Sequence, residues 1–174
     1  VVVFNGEIYN HMQIRKELEK SSTMIQKWKG TSDTETLLAA LDSLNLTNLL
    51  KKLVGMFSIV VWDRKNRTLC LARDRFGEKP LYFGILSKSK YFQEPLFVFS
   101  SELGALKNDI NISSSININA LSSYFKLGCI PSPLSILNGI SQLLPGHILE
   151  INCSRDGFSP IEIPESRAWF DSAF

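Results

Sequence analysis

The sequence predicts an α+β fold in which antiparallel sheets are covered by helices, and three observations lead there. Helix-period patterns cluster in the first third of the chain, ahead of a series of apolar strands. Those strands are joined by short, turn-rich connections, so they pair as hairpins rather than through βαβ crossovers. Their apolar runs lack polar alternation, so each strand is buried on both faces and the sheets need a covering layer on either side.

The elements follow in order. Val1-Val2-Val3-Phe4 is an apolar strand that ends at Asn5-Gly6, a turn dipeptide. A buried strand rarely opens a natural chain, so the sequence is expected to belong to a larger polypeptide. Asn10 is placed to N-cap a helix, with Gln13 at capping-box spacing and Ile14 and Leu18 on one face, running to about Lys20. Met24 to Trp28 reads as a short strand. Ser32-Asp33-Thr34-Glu35 is a second capping box: Ser32 can accept from the Glu35 amide while Glu35 reaches back to Ser32. Leu37, Leu38, Leu41 and Leu44 follow at helical spacing, and Thr47 is the expected cap of a short helix over 48–53.

The period then changes. Met56 to Trp62 and Leu69 to Ala72 are apolar strands joined through Asp63-Arg64-Lys65-Asn66-Arg67. Leu81 to Leu86 and Leu96 to Phe99 form another pair. Ser100-Ser101-Glu102 starts a helix through Leu106, and Asn119 is the expected cap of one ending at Leu127. Ile130 to Pro133 is irregular, and Pro145-Gly146 turns into a last strand, His147 to Ile151. The domain is therefore drawn over 1–153, with 154–174, rich in Pro, Ser and charge, as a linker.

Composition narrows the function. At 174 residues, 44% hydrophobic and 21% charged, the chain is one domain's worth of ordinary globular sequence. A net charge of +2 gives no electrostatic claim on nucleic acid or an anionic membrane. No apolar run approaches the ~20 residues of a membrane-spanning helix. Cys70, Cys129 and Cys153 form no CxxC pair, and His11 and His147 lie far apart, so neither a metal site nor a disulfide framework is expected. A reducing cytosol follows from that cysteine usage.

Two places carry candidate chemistry. Asn5 and Gly6 offer a carboxamide N–H and a backbone N–H that can hold the oxyanion of a tetrahedral intermediate, and glycine admits a substrate close to the backbone. The alternative is a plain turn. Asp33, in the first turn of its helix, either complements the helix dipole or binds a ligand ammonium. Arg73 to Tyr82 is either a charged connection or a functional loop. Cys70, inside an apolar strand, reads as a small buried hydrophobe, and His147 is assigned no role.

Six segments together resemble one family: FNGEIYN (4–10), SDTE (32–35), LVGMFSIVVWD (53–63), ARDRFGEKPLYFG (72–84), FSSELGAL (99–106) and LPGHIL (144–149). They are similar to the glutaminase half of glutamine-hydrolysing asparagine synthetases, which are class II glutamine amidotransferases. The resemblance covers residues 1 to about 151. It implies the four-layer αββα sandwich of N-terminal nucleophile hydrolases, incomplete here at its N-terminus. It also implies a terminal cysteine nucleophile whose own α-amino group is the base. By resemblance, Asn5 and Gly6 form the oxyanion hole, Glu7 belongs to the same glutamine-binding strand end, and Asp33 holds the substrate α-ammonium. Met56 and Glu102 match family positions near the domain interface or the ammonia path.

The sequence departs from the family at residue 1, which is Val, and none of its cysteines is at a chain start. The expectation is a fragment that is inactive alone. Glutamine is the implied partner, and the fragment itself implies no cofactor. ATP and magnesium belong to a synthetase domain of the longer protein, together with aspartate. The resemblance also allows a homodimer of that longer protein and implies a cytoplasmic one. Two other hypotheses stand beside it: an amidotransferase acting on a sugar or peptide acceptor, and a non-catalytic interaction module that kept the glutamine pocket.

Overall fold

Apolar residues on both faces of each central strand demand a layer above and a layer below, and the structure supplies them. It is a computed structural model, and it describes residues 1–21, 27–86, 95–109, 115–153 and 163–170. Five antiparallel strands form one sheet in the order β1 (Val2–Ile8), β2 (Gly55–Asp63), β3 (Thr68–Arg73), β7 (His147–Asn152) and β8 (Arg167–Ala168). The second sheet has the order β5 (Leu96–Ser100), β4 (Tyr82–Leu86) and β6 (Ile140–Gln142).

Alternation assigns each side chain to a layer. Phe57 and Ile59 of β2, Ala72 of β3 and Ile148 of β7 face α1 (His11–Ser21), α2 (Asp33–Ser43) and α3 (Leu46–Lys52). They pack there with Leu37, Leu49 and Leu50, all 1% exposed or less. Val60, Leu71 and Leu149 face the other way and meet Phe83 of the second sheet and Leu81, just before β4. The outer face of that sheet packs Val98 and Ile140 against Leu106 of α4 (Leu103–Asp109). The layers therefore run α, β, β, α. The fifth helix, α5 (Ile118–Leu127), buries only Ala120.

Several local expectations give way to tertiary geometry. Asn5-Gly6 is no turn; it lies inside β1, paired with Ser58 and Phe57. The side chain of Asn10 does not cap α1. Its Nδ2 donates to the Lys52 carbonyl (2.8 Å) and its Oδ1 accepts from Val54 N–H (2.9 Å), tying the start of α1 to the start of β2. Ser32 caps α2 through Thr34 N–H at 3.2 Å, while the Glu35 carboxylate turns to the amides of Lys29 and Gly30. Asn45, not Thr47, caps α3, and Asn117, not Asn119, caps α5. In each case the residue nearer the turn reaches the free amides first. Leu38 stands 46% exposed, because the α2 stripe runs through Thr36, Leu37, Ala39 and Ala40.

The expected strand at 24–28 lies mainly outside the described residues; Lys27 and Trp28 are not in a strand. Of the segment expected as a linker, residues 154–162 and 171–174 also lie outside them, but 163–170 joins the fold. Arg167 and Ala168 pair with Ile148 and His147, and Trp169 is 3% exposed in the helix-side core. A two-residue strand has no period to read.

Candidate active site

Main-chain parity decides which amides of β1 are turned away from β2. Val1 and Trp62 exchange both hydrogen bonds (2.9 and 2.8 Å), and Tyr9 N–H donates to the Val54 carbonyl (2.8 Å). In an antiparallel pair such bonds fall on alternate residues. Odd-numbered residues of β1 therefore bond β2, and the amides of Val2, Phe4, Gly6 and Ile8 point to the opposite edge, which is open among the described residues. The Ile8 amide is taken by Asp33, whose Oδ2 accepts it at 3.0 Å. The Gly6 amide remains aimed outward, two residues from that contact, with the exposed side chains of Asn5 and Glu7 on either side.

Only glycine allows this arrangement. Gly6 has φ +151°, and a Cβ there would collide with the Met56 carbonyl oxygen and stand 2.7 Å from the Phe57 Cα. Gly55, paired with Ile8, has φ +156°, and its missing Cβ leaves room for the Glu7 carbonyl. The two strands thus interlock main chain against main chain.

The four residues expected from the sequence are brought to one place: Asn5, Gly6 and Glu7 on the end of β1, and Asp33 on the first turn of α2, joined to β1 through Ile8. A 320 Å³ cleft between the two sheets opens beside Asn5, the one of the four that lines it, with Val3, Ser58, Val60, Leu81, Phe99, Ser100 and Ser101. The Ser58 and Ser101 hydroxyls are 3.3 Å apart across it. Met56 pairs with Glu7, and Glu102 follows the Ser100 turn at the start of α4. A larger groove of 550 Å³ lies at the far end of β2, by Trp62 to Asn66, and contains none of these residues.

Two buried arginines support these strands and loops: Arg15, which the sequence does not single out, and Arg73, which opens the segment read as a charged connection or a functional loop. Arg15, 5% exposed, donates 2.7 Å bonds to the Thr36 hydroxyl and to the Gly30 and Ser32 carbonyls, and its guanidinium lies 4.2 Å over Trp28. It brackets Asp33 on both sides. Arg73, also 5% exposed, donates to the carbonyls of Lys79, Leu143 and Gly77 and to the Ser132 hydroxyl. Burial lowers its pKa from the usual arginine value. The only advance sign of Arg15 was a charge on the apolar side of a short helix, next to Ile14. Sequence alone leaves Arg73-Asp74 either in a charged connection or in a functional loop; in the structure both residues are interior. Trp169, from the expected linker, stacks on Phe57 (6.2 Å) and donates to the Arg73 carbonyl at 2.9 Å.

No cysteine reaches the open edge of β1. Cys70 sits on β3 opposite Val61 and Glu150, and burial pushes its thiol up to about 11, away from nucleophilic use. Cys129 is exposed beyond the end of α5, and Cys153 follows β7. Among the described residues no three His, Cys, Asp or Glu side chains converge.

The chain is similar to solved structures of a glutamine phosphoribosylpyrophosphate amidotransferase from B. subtilis (TM-score 0.57, 20% identity) and of an allosteric regulatory enzyme of purine biosynthesis (TM-score 0.56, 19% identity). Each likeness covers 97% of this chain and under a third of the other, and shows the αββα fold of the N-terminal nucleophile type. Among curated relatives, a putative asparagine synthetase [glutamine-hydrolyzing] 2 of Methanocaldococcus jannaschii is 34% identical over 82% of this chain. Asparagine synthetase [glutamine-hydrolyzing] 1 of Bacillus subtilis is 30% identical over 95% of it, and its paralogue 3 is 33% identical over 91%. The chain spans about a quarter of the length of these relatives (25%, 26% and 24%). A glutamine amidotransferase domain model matches residues 1–160, and with that match the chain belongs to the glutamine amidotransferase domain family.

Proposed function

We propose that this chain is the glutamine-binding part of an asparagine synthetase, and that the open edge of β1 is where the glutamine carboxamide is broken. The observation that carries this is the Gly6 amide, turned outward by strand parity beside the Asn5 side chain. Two N–H donors from one strand are suited to the oxyanion that forms when a nucleophile adds to an amide carbonyl. The Asp33 carboxylate, fixed by Ile8, is the counter-charge for the substrate ammonium, and Glu7 completes the same strand end.

The nucleophile in this reading is the cysteine that the family resemblance implies. Its thiolate adds to the carboxamide carbon, ammonia leaves, and water cleaves the thioester to give glutamate and the free thiol. None of Cys70, Cys129 and Cys153 can take that part, so the 174-residue chain by itself hydrolyses no glutamine. The ammonia goes to an ATP- and magnesium-dependent amidation of aspartate in a cytoplasmic protein longer than this chain.

The test has two arms. Glutamate release from glutamine is measured for the 174-residue chain; turnover that survives Cys70→Ser, Cys129→Ser and Cys153→Ser together would sink the terminal-thiol reading. In the longer protein, Asn5→Ala should depress glutamine-dependent asparagine formation by roughly 100-fold or more, on the scale of a lost oxyanion donor. It should spare formation from ammonium. Equal loss with both nitrogen sources rejects the site.

A further inference from the structure

Asp74 is 1% exposed, and among the described residues the hydrogen-bond partners of its carboxylate are main-chain amides. Oδ1 accepts from Phe76 (3.0 Å) and Glu78 (2.9 Å), and Oδ2 accepts from Lys79 (2.9 Å) and Phe57 (3.3 Å). Three of these close the loop after β3. The fourth reaches out of the loop to another strand.

That fourth bond falls at a particular rung. β3 stops at Arg73, opposite Ser58, one pair short of Phe57. Asp74 fills the missing rung: its N–H donates to the Phe57 carbonyl (2.8 Å) and its carboxylate accepts the Phe57 N–H. Parity shows why both groups of Phe57 are available, since its main chain faces β3, not β1. On the β1 side Phe57 is opposite Gly6, close enough that a Cβ on Gly6 would stand 2.7 Å from the Phe57 Cα. The Asp74 carbonyl also accepts from Gly146 (2.7 Å), which anchors the clamp to the loop before β7.

We propose that Asp74 is the positioning residue of the Gly6 amide. Gly6 lies on the Phe57 main chain with no side chain to cushion it, so the place of Phe57 sets the direction of the Gly6 N–H. Asp74 sets the place of Phe57. A buried charge is costly unless every acceptor is used, and an ordinary surface loop gains nothing from one. This inference rests on the Gly6 amide being the anion donor, and it adds a residue that touches no substrate.

The experiment uses the ¹⁵N-labelled 174-residue chain as wild type, Asp74→Asn, Asp74→Glu and Leu106→Ala. Leu106→Ala weakens the outer helix layer and serves as the control for general destabilisation. Asp74→Asn keeps the size but gives up one acceptor oxygen. It should shift the Gly6 amide resonance together with that of Phe57 before any ligand is added, and speed Phe57 amide exchange by roughly tenfold or more. Leu106→Ala should leave Gly6 in place. On titration with L-glutamine, Asp74→Asn should raise Kd by about 2- to 13-fold, the range of one ordinary hydrogen bond. A Gly6 resonance that stays within the Leu106→Ala spread while Phe57 moves overturns the proposal. If Asp74→Asn does not fold, Asp74→Glu, which keeps both oxygens on a longer arm, is held to the same Gly6 criterion. In the wild type, a Phe57 amide that exchanges by local opening overturns it as well. If glutamine moves neither Gly6 nor Asn5 in the wild type, the substrate reading fails, while the ligand-free Gly6 shift still decides the role of Asp74.

Discussion

Asp33 holds the Ile8 amide in this structure and is proposed to hold a substrate ammonium as well, and two substitutions separate the two roles. Its Oδ2 accepts the Ile8 amide at 3.0 Å, and Ile8 is 3% exposed, so that amide has no easy route to water. The same carboxylate is the proposed seat of the glutamine ammonium. Asp33→Asn removes the charge but keeps an oxygen for Ile8. It should lose only the helix-dipole contribution, about 0.3–1 kcal/mol, or roughly 1–4 °C in Tm for a chain of this size. Its glutamine affinity should fall about 10- to 150-fold, the worth of a hydrogen bond to a charged group. Asp33→Ala also strands the Ile8 amide, an added cost of about 1–3 kcal/mol, and should melt roughly 3–15 °C below wild type. Calorimetric titration with L-glutamine and thermal unfolding of both variants decide the matter. The reasoning is refuted if Asp33→Asn melts as low as Asp33→Ala while binding glutamine like wild type, because the residue then supports only the fold.

Other outcomes follow from the same geometry. Gly6→Ala forces a Cβ against the Met56 carbonyl at a strained φ, worth about 1–3 kcal/mol before any strand separation; thermal unfolding should fall by several degrees, and an unchanged Tm contradicts the close approach. Arg15→Met leaves the Gly30 and Ser32 carbonyls and the Thr36 hydroxyl without their donor, costing about 1–3 kcal/mol or more, and a urea midpoint shift reads it. With the Cys70 thiol pushed up to about 11, its alkylation by iodoacetamide should climb about tenfold per pH unit from 7 to 10 with no plateau. The exposed Cys129 should be labelled first, and a plateau at Cys70 near pH 8.5 argues against its burial.

The fold was legible wherever period and length agreed. The strands at 56–62, 69–72, 81–86, 96–99 and 147–151 are all present within a residue or two, because runs apolar on both faces fit only a sheet with two covers. Asn5, Gly6, Glu7 and Asp33 are named as candidates through motif resemblance, and the link of Asp33 to the other three depends on one contact, Asp33 to Ile8, across 25 positions. What escaped is what depends on neighbours distant in sequence. Asn5-Gly6 has turn chemistry, yet Gly55 on the facing strand holds it extended. Arg15, Arg73 and Asp74 look like surface charges until the carbonyls and amides that satisfy them are in place. Trp169 sits in a stretch with no period, and only the Phe57 ring and the Arg73 carbonyl give it a position. Ser32 caps α2 as expected, while the caps expected at Asn10, Thr47 and Asn119 were displaced for a smaller reason: several Ser, Thr and Asn residues stand near those helix starts, and sequence spacing alone does not rank them.

The interlock of Gly6 with Gly55 limits how this site can change over generations. A crowded side chain can usually be rescued by trimming its neighbour. Here each glycine faces a carbonyl oxygen of the other strand, and every amino acid carries the same carbonyl. No second substitution can make room, so a lineage that loses either glycine has no compensating step within this strand pair. Drift at the site is therefore channelled into the residues that flank the pair, such as Tyr9 and Val54 at the exposed strand end.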